Sequence, residues 1–186
     1  MQSVYLIDLV AKALLFGWFS YALYVHFARQ DGEPTGMKWT RLLWLAGIGI
    51  DGSLYVATVG SDGISPSAAG FGLCTAMLAA LVFHRALIAS REHALNVAFS
   101  QSTGRALLAS GIFGYVRHPF YLAYILYWLS WAITLGFQMP ASAILIAVTA
   151  TYLVSIRLEE RALERTFGDD YREYRRRTPA LVPFLS

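Results

Sequence analysis

The sequence predicts an all-α integral membrane protein with five transmembrane helices and a C-terminal amphipathic helix. Hydrophobic residues make up 56% of the 186 residues and charged residues 15%, and the mean hydropathy is +0.48. Soluble domains contain about 45–50% apolar and about 25% charged residues. The apolar residues also form stretches of about 20, the length that crosses a hydrocarbon core about 30 Å thick. Both observations argue against a soluble globular domain.

Five apolar stretches are predicted to cross the membrane. They are residues 5–27, 42–59, 68–88, 120–137 and 139–156. Residues 136–140 form a connector so short that the last two spans should make an antiparallel hairpin. The start of the fourth span and the end of the fifth are therefore expected to be neighbours. No basic leader precedes the first stretch, so we expect a retained span rather than a cleaved signal peptide.

The basic residues predict the orientation of these spans. All but Lys12 of the 15 Lys and Arg residues lie on one predicted side of the membrane, and the loops 60–67 and 136–140 contain none. Because basic residues concentrate in cytoplasmic loops, the N-terminus is expected outside and the C-terminus in the cytoplasm. The short chain suggests a prokaryotic inner membrane. Since this pattern accounts for the net charge of +3, we expect membrane lipids and no nucleic acid as partners.

Chemistry is expected in the C-terminal half of the chain. Residues 1–90 are predicted to form a three-span membrane part, and residues 91–186 a catalytic part with a cytoplasmic segment, the hairpin, the amphipathic helix and a tail. Residues 91–118 form the longest predicted stretch outside the membrane, and such long connections are disproportionately functional. Cys74 is the only cysteine, so we expect neither a disulfide nor a multi-cysteine metal site within the chain.

The densest cluster of functional side-chain types precedes the fourth span, in residues 111–121 (GIFGYVRHPFY). Pro119 suits the first turn of a helix, which places His118 near the N-cap and Tyr121 in the first turn. Free N–H groups at a helix start favour an anionic ligand group such as a carboxylate. Alternatively, Arg117 anchors the helix at lipid headgroups and Tyr121 belongs to an interfacial aromatic belt.

A second cluster, residues 157–165 (RLEERALER), is predicted to continue from the fifth span as an amphipathic helix. Glu159 is its unusual member, because it borders the apolar stripe, where a bare carboxylate is costly. The alternative is a solvated face of Arg–Glu pairs that contribute only about 0.3–0.5 kcal/mol each. Since the hairpin brings its two cytoplasmic ends together, His118 and Glu159 are predicted to meet.

Three other polar residues lie in or near the predicted spans. Asp51 is expensive in hydrocarbon and is by default a functional candidate. However, Gly49 and Gly52 beside it allow close helix contacts, in which Asp51 could simply bond a neighbouring helix. His26 and His84 lie near the inner ends of the first and third spans, and we expect them to be ordinary interfacial histidines.

The C-terminal half resembles the superfamily of isoprenylcysteine carboxyl methyltransferases (ICMT) and phospholipid methyltransferases (PEMT). The resemblance covers about residues 95–184 and rests on short motifs in a fixed order. They are Arg117-His118-Pro119-Phe120-Tyr121, then Glu159-Glu160, then residues 167–174 (FGDDYREY) and a late proline, Pro183. Each motif is weak alone, but their order and spacing around a membrane hairpin are specific.

The resemblance implies an integral-membrane methyltransferase that uses S-adenosyl-L-methionine, with a lipid-like or prenylated acceptor entering from the bilayer. The implied cofactor-binding residues are Tyr115, His118, Pro119, Tyr121, Glu159 and Glu160. The implied catalytic residues are Arg117, Glu159 and Glu160. The resemblance leaves the roles of the two glutamates unseparated and implies no metal. It indicates neither the methylated atom nor the oligomeric state.

Two alternatives stay open at this point. Sterol reductases resemble this superfamily in their C-terminal halves and bind NADPH in a related pocket, although they generally have more spans. A non-catalytic membrane module would instead bind lipid through a basic tail. The basic residues of that tail are Arg172, Arg175, Arg176 and Arg177. A module of this kind should tolerate Glu159→Ala and His118→Ala, whereas an enzyme should not.

Overall fold

The structure is a computed structural model that describes residues 2–28, 37–60, 63–99 and 107–181. Within these ranges the chain forms helices joined by turns, and no strand occurs. The helices are α1 (Gln2–Ala28), α2 (Met37–Gly60), α3 (Pro66–Phe99), α4 (Pro119–Thr134), α5 (Met139–Phe167) and α6 (Asp169–Arg177), with a 3₁₀ turn at Gly111–Gly114. The predicted all-α fold class is confirmed.

Three of the helices are long and apolar enough to cross a membrane. The qualifying stretches are Val4–Ala22 in α1, Pro66–Arg91 in α3 and Met139–Phe167 in α5, and α2 contains a shorter apolar stretch, Trp44–Val59. Large apolar side chains on these helices, such as Leu14, Phe71 and Ile146, are exposed, as expected for a surface that contacts lipid. The chain is a membrane protein, whereas the count of five spans stays a prediction.

α4 ends at Thr134, before the predicted end of the fourth span at residue 137. The cause is the backbone of the following turn. Gly136 and Phe137 have positive φ angles of 62° and 56°, the left-handed conformation that typically ends a helix. Since α5 begins at Met139, the connection between the two helices is short, as predicted.

α5 runs without interruption through residues 157–165 and ends at Phe167. Gly168 has a φ angle of 56°, and its N–H donates to the Glu164 carbonyl at 2.9 Å. Glycine closes helices in this way because it adopts positive φ without strain. The segment predicted as an amphipathic helix is therefore the last part of α5, and its contact with a membrane surface stays a prediction.

The chain forms two compact units. The first comprises Met1–Met77 and Ile125–Thr151, and the second comprises Leu78–Tyr124 and Tyr152–Ser186. α3, α4 and α5 each contribute residues to both units. The predicted division into a membrane part and a catalytic part at residue 90 is a division by function, whereas the two units are defined by packing. The predicted division therefore stays a prediction.

Aromatic side chains from α2 and α4 form much of the core of the first unit. The Trp44 ring stacks on Tyr127, with centroids 5.9 Å apart, and meets Trp128 edge-on at 5.7 Å. Tyr55 meets Trp131 edge-on at 5.9 Å. Each such pair contributes about 0.5–1.5 kcal/mol beyond the burial of its area, so these ring contacts hold α2 against α4.

Close helix contact in the first unit involves other glycines than those predicted. A Cβ atom added at Gly49 or Gly52 would meet no described atom within 4 Å, so the prediction that these two allow close contacts is wrong. A Cβ atom at Gly47 would lie 2.5 Å from the nearest atom of the Trp128 ring. Gly47 lies on the face of α2 that packs on α4, whereas Gly49 is about 200° further around the helix.

Replacing Gly72 with alanine is expected to destabilise the protein by about 1–3 kcal/mol through overpacking. A Cβ atom there would overlap the Thr134 hydroxyl and lie 2.9 Å from the Ser130 carbonyl oxygen. Gly70→Ala is the matched control, because a Cβ atom at Gly70 meets nothing within 4 Å and alanine is the better helix former. Thermal unfolding in detergent should show a lower Tm for Gly72→Ala only. Equal Tm values for the two variants would contradict this packing.

Aromatic contacts also organise the second unit. Phe83 on α3 lies 5.5 Å from Phe120 and 5.9 Å from Tyr124, measured between ring centroids. Tyr152 on α5 lies 5.3 Å from Tyr121 and 5.6 Å from Tyr124. These contacts hold the first turns of α4 against α5, and they position the polar residues at that end of the two helices.

Candidate functional site

The N-terminal end of α4 is fixed by the segment that follows α6. Pro119 is the first residue of α4, a position where its missing N–H leaves no bond unmade. The Arg117 N–H donates to the Pro179 carbonyl at 2.9 Å, and the His118 N–H donates to the Ala180 carbonyl at 3.0 Å. These two N–H groups are occupied, but they precede the first turn of α4, so the anionic ligand group at this helix start stays a prediction.

The Arg117 guanidinium is surrounded by acceptors. Its Nε and Nη2 donate to Glu160 Oε1 at 3.0 and 2.6 Å. Its Nη1 donates to the carbonyls of Arg175, at 3.1 Å, and Thr178. The side chains of Arg117 and Glu160 are only 8% and 12% exposed. Arg117 therefore ties the start of α4 to α5 and to the end of α6 through charge-assisted hydrogen bonds.

His118 lies between the two glutamates of α5. Its Nε2 is 3.3 Å from Glu160 Oε1, and its Nδ1 is 3.7 Å from Glu159 Oε2. The predicted meeting of His118 and Glu159 is thus confirmed. Burial lowers the pKa of His118, against the opposing effect of the two carboxylates. A neutral imidazole has a single N–H, so His118 donates to one carboxylate at a time.

The two glutamates differ in their exposure to solvent. The Glu160 side chain is 12% exposed, whereas the Glu159 side chain is 48% exposed. The sequence predicted that Glu159 is the carboxylate in an unfavourable, apolar environment. The structure shows that this carboxylate is Glu160. The Arg117 guanidinium neutralises the Glu160 charge, which makes its burial tolerable. Glu159 keeps its carboxylate partly open to solvent beside His118.

The two predicted tyrosines occupy different surroundings. The Tyr121 ring centroid is 5.8 Å from that of His118, and the Tyr121 side chain also interacts with Glu159. Tyr115 is 74% exposed and therefore lies outside the buried cluster. The predicted site residues that the structure brings together are Arg117, His118, Pro119, Tyr121, Glu159 and Glu160. We call this group the RHE cluster.

Sequence reasoning missed the contribution of the residues around the end of α6. The Tyr174 hydroxyl donates to the Phe113 carbonyl at 2.6 Å, and the carbonyls of residues 178–180 accept from Arg117 and His118. Backbone acceptors leave no residue-type signal in a sequence, so only the resemblance over residues 167–174 pointed to this region. Pro183 and residues 100–106 of the long predicted segment lie outside the described residues.

The other polar residues singled out from the sequence lie elsewhere. Asp51 is buried within the first unit, His84 is exposed on α3 and the side chain of His26 lies outside the described residues. Over the part of the chain that the structure describes, no group of three or more His, Cys, Asp or Glu residues is arranged to hold a metal ion.

The lowered pKa of His118 predicts a loss of stability on acidification. In the unfolded chain His118 binds its proton near the ordinary pKa of 6.5, whereas the folded protein binds it only at lower pH. The contribution of His118 to stability is therefore fully present above pH 6.5, and it is lost as the pH falls from that value to the pKa of His118 in the folded protein. Relative to His118→Gln, the wild type should lose Tm on acidification through this window. The same pH dependence of Tm in both proteins would contradict the buried neutral imidazole.

Comparison with known families and proteins gives a match to one family model and to several named relatives. The family model of DUF1295, described as a protein of unknown function, matches residues 54–178. Over 106 residues the chain is 34% identical to methanethiol S-methyltransferase 2 of Bradyrhizobium diazoefficiens, which covers 56% of the chain and 39% of that relative. Over 107 residues it is 34% identical to methanethiol S-methyltransferase of Crocosphaera subtropica, covering 56% and 40%.

A relative with a different acceptor in its name matches as well. Over 117 residues the chain is 27% identical to protein-S-isoprenylcysteine O-methyltransferase B of Arabidopsis thaliana, which covers 62% of the chain and 59% of that relative. The chain thus spans about two fifths of the length of the two methanethiol S-methyltransferases. All three relatives are methyltransferases by name, and they differ in the group that is methylated.

Proposed function

The chain belongs to the DUF1295 family and to the ICMT-like superfamily of membrane methyltransferases, and on this premise we propose that it transfers a methyl group from S-adenosylmethionine to an apolar, lipid-like acceptor. The observation that carries this proposal is the pairing of a half-exposed carboxylate, Glu159, with the buried cluster of Arg117, His118 and Glu160. In this arrangement the exposed part of Glu159 can contact a polar ligand, and the buried residues beneath it hold the Glu159 side chain in place.

The RHE cluster fits the polar groups of S-adenosylmethionine. The Glu159 carboxylate is 48% exposed and would accept charge-assisted hydrogen bonds from an amino group or from ribose hydroxyls. The ring of Tyr121, whose side chain interacts with Glu159, would offer an aromatic face to a sulfonium cation. When bound, the cofactor supplies a methyl group activated by its positively charged sulfur.

We assign different roles to the two glutamates and to Arg117. Glu159 is the residue that contacts the cofactor. Glu160 and Arg117 are positioning residues, because their charged groups are bonded to each other and, for Arg117, to backbone carbonyls. The Arg117–Glu160 pair holds His118 and the start of α4 beside α5. The catalytic role of Arg117 that the resemblance implies would therefore be indirect.

The chemistry of methyl transfer suits a site of this kind. The reaction is an in-line displacement whose rate depends mainly on positioning and on the exclusion of water. A carboxylate acceptor is ionised near neutral pH and needs no base, whereas a thiol must lose its proton. His118 is held neutral by burial and would accept that proton at Nδ1, the nitrogen that faces Glu159.

We further propose that α1 to α5 all cross the membrane, with the N-terminus outside and the C-terminus in the cytoplasm, in a prokaryotic inner membrane. The distribution of basic residues supports this orientation. The acceptor would then enter from the bilayer, and the cofactor would arrive from the cytoplasm. Exposed apolar side chains along α1, α3 and α5 provide the lipid-facing surface that this route needs.

The alternative of a lipid-binding basic tail is not favoured, because the tail arginines are paired. The pairs are Arg172 with Glu164 and Asp169, Arg175 with Glu164, and Arg176 and Arg177 with Glu173. Carboxylates that offset the arginine charge reduce the attraction to anionic lipid headgroups. The names of the relatives favour group transfer over the reduction that the second alternative would require.

The proposed activity can be tested with the purified protein in detergent and S-adenosylmethionine labelled in its methyl group. The acceptors would be methanethiol, an S-farnesylcysteine analogue with a free carboxylate, and a phospholipid amine. We expect label in the product of one acceptor and a decrease of at least about tenfold in Glu159→Gln. Glu164→Gln, on the same helix, should retain the activity. The absence of label from every product would contradict the proposal.

A further inference from the structure

A group of fully buried charged residues lies within the first unit. Asp8 and Lys12 are one turn apart on α1, both side chains are 0% exposed, and the Lys12 Nζ lies 2.8 Å from Asp8 Oδ2. Lys12 also donates to the hydroxyl of Thr134, the last residue of α4, at 2.6 Å. The ammonium group therefore joins α1 to the end of α4 inside an apolar core.

Asp51 on α2 adds a second carboxylate to this group. It is 0% exposed, and neither of its carboxylate oxygens has a hydrogen-bond partner among the described residues. Asp8 Oδ1 is also without a partner there. Lys12 and Asp51 are close enough to attract each other, although the ammonium is committed to Asp8 and Thr134. Asp51 is thus a buried carboxylate whose charge is not matched.

Among the residues that the structure describes, none supplies a second positive charge to this group. The groups that interact with Lys12 or Asp51 are Asp8 from α1, Tyr55 from α2, and Tyr127, Trp131 and Thr134 from α4. The parts of α3 and α5 in this unit, residues 66–77 and 139–151, contain no Asp, Glu, Lys, Arg or His. Lys38 and Arg41 stand at least ten positions before Asp51 on α2.

The charges of this group therefore add up to minus one if every residue is ionised: Asp8 and Asp51 are negative, and Lys12 is positive. An uncompensated charge at this depth in an apolar environment is strongly unfavourable. The ion pair of Asp8 and Lys12 keeps its charges because it is joined at 2.8 Å. Among the described residues no further positive charge offsets the remaining carboxylate, Asp51, so it would have to bind a proton or another cation.

We propose that Asp51 is a proton-binding site, which holds one proton at neutral pH while the Asp8–Lys12 pair stays ionised. A proton suits the site better than a metal ion. Only two carboxylates belong to the group, and the described residues contain no set of three metal-ligating side chains. The Lys12 ammonium would also repel a second cation. Binding converts the Asp51 carboxylate to a neutral carboxyl, and alkaline pH releases the proton to solvent.

The protonated state can be observed directly in the full-length protein by infrared spectroscopy, because a neutral carboxyl has a carbonyl band distinct from that of a carboxylate. We expect this band in the wild type at pH 7, its loss at alkaline pH and its absence from Asp51→Asn. Asp169→Asn is the matched control, since the Asp169 side chain is 93% exposed and should leave the band intact. A wild type without the band would overturn the proposal.

Stability measurements in detergent provide a second, independent test. The folded protein would keep the Asp51 proton at pH values at which the unfolded chain has released it, so the wild-type Tm should fall as pH rises above about 4 and level off once Asp51 ionises. Asn mimics the neutral carboxyl, so Asp51→Asn should lack this fall and have a Tm at neutral pH at least equal to that of the wild type. Asp8→Asn should lower the Tm at neutral pH, because it removes the partner of Lys12. The proposal fails if Asp51→Asn destabilises as strongly as Asp8→Asn. It also fails if sodium chloride, compared with choline chloride, stabilises the wild type but not Asp51→Asn, since the ligand would then be sodium.

Discussion

Replacing Glu160 with alanine is expected to lower the free energy of unfolding by about 3–5 kcal/mol, the typical cost of removing one partner of a buried ion pair. The Arg117 side chain is 8% exposed, and without Glu160 it would lose its carboxylate partner and keep the backbone carbonyls of Arg175 and Thr178 as acceptors. His118 would lose the carboxylate at 3.3 Å. The contacts that hold the start of α4 to α5 would therefore weaken together.

The control for this prediction is Glu164→Ala, one turn further along α5. The two partners of Glu164, Arg172 and Arg175, are 59% and 52% exposed, and an exposed pair contributes about 1 kcal/mol or less. For a chain of this size, about 1 kcal/mol corresponds to about 2–4 °C in Tm. Thermal unfolding in detergent should show a Tm decrease of about 6–20 °C for Glu160→Ala and less than about 4 °C for Glu164→Ala. Equal decreases would contradict the buried ion pair.

Glu159→Gln is expected to have the opposite profile, with a large effect on ligand binding and a small one on stability. The affinity for S-adenosylhomocysteine should fall by about 10–100-fold, because charge-assisted hydrogen bonds contribute about 1.5–3 kcal/mol each. The Glu159 side chain is 48% exposed, so the folded protein does not depend on its charge. Isothermal titration calorimetry of the variant, next to its Tm, measures both quantities.

Glu164→Gln is the matched control for the binding experiment, since it removes a carboxylate that is also partly exposed, at 34% against 48% for Glu159, from the same helix. Its affinity should equal that of the wild type. If Glu159→Gln binds as tightly as Glu164→Gln, the assignment of Glu159 to the cofactor is wrong. If Glu159→Gln unfolds as readily as Glu160→Ala, the separation of the two glutamates into a binding and a positioning role is wrong.

The approach of His118 to the glutamates of α5 could be predicted from the sequence. Two apolar spans joined by a four-to-five-residue connector must run antiparallel, so residues near their open ends become neighbours. The connection between Thr134 and Met139 is of this kind. The positions of Pro119 and Tyr121 in the first turn of α4 could also be predicted, because proline favours the first turn of a helix.

The distribution of burial between Glu159 and Glu160 could not be predicted. Adjacent residues on a helix point about 100° apart, and the rotation of α5 about its axis depends on tertiary contacts that the local pattern does not contain. The partner that makes Glu160 tolerable, Arg117, belongs to another helix end. The same limitation explains why close packing was predicted at the wrong glycine of α2, since the face of α2 that packs on α4 carries Gly47 rather than Gly49.

The buried group in the first unit illustrates a related limit. Asp51 could be singled out because a carboxylate in an apolar stretch is unusual. Its relation to Lys12 and Asp8 could not be predicted, because these residues lie on α1, about forty positions away in the chain. Their positions on two separate helices carry no periodic signal that links them.

The measurement that tests the central claim most directly is calorimetric titration of the wild-type protein in detergent with S-adenosylhomocysteine, with NADPH titrated in parallel. The proposed methyltransferase predicts saturable binding of S-adenosylhomocysteine, weakened in Glu159→Gln and retained in Glu164→Gln, and no binding of NADPH. Saturable binding of NADPH by a folded sample that does not bind S-adenosylhomocysteine would contradict the claim and favour a reductase.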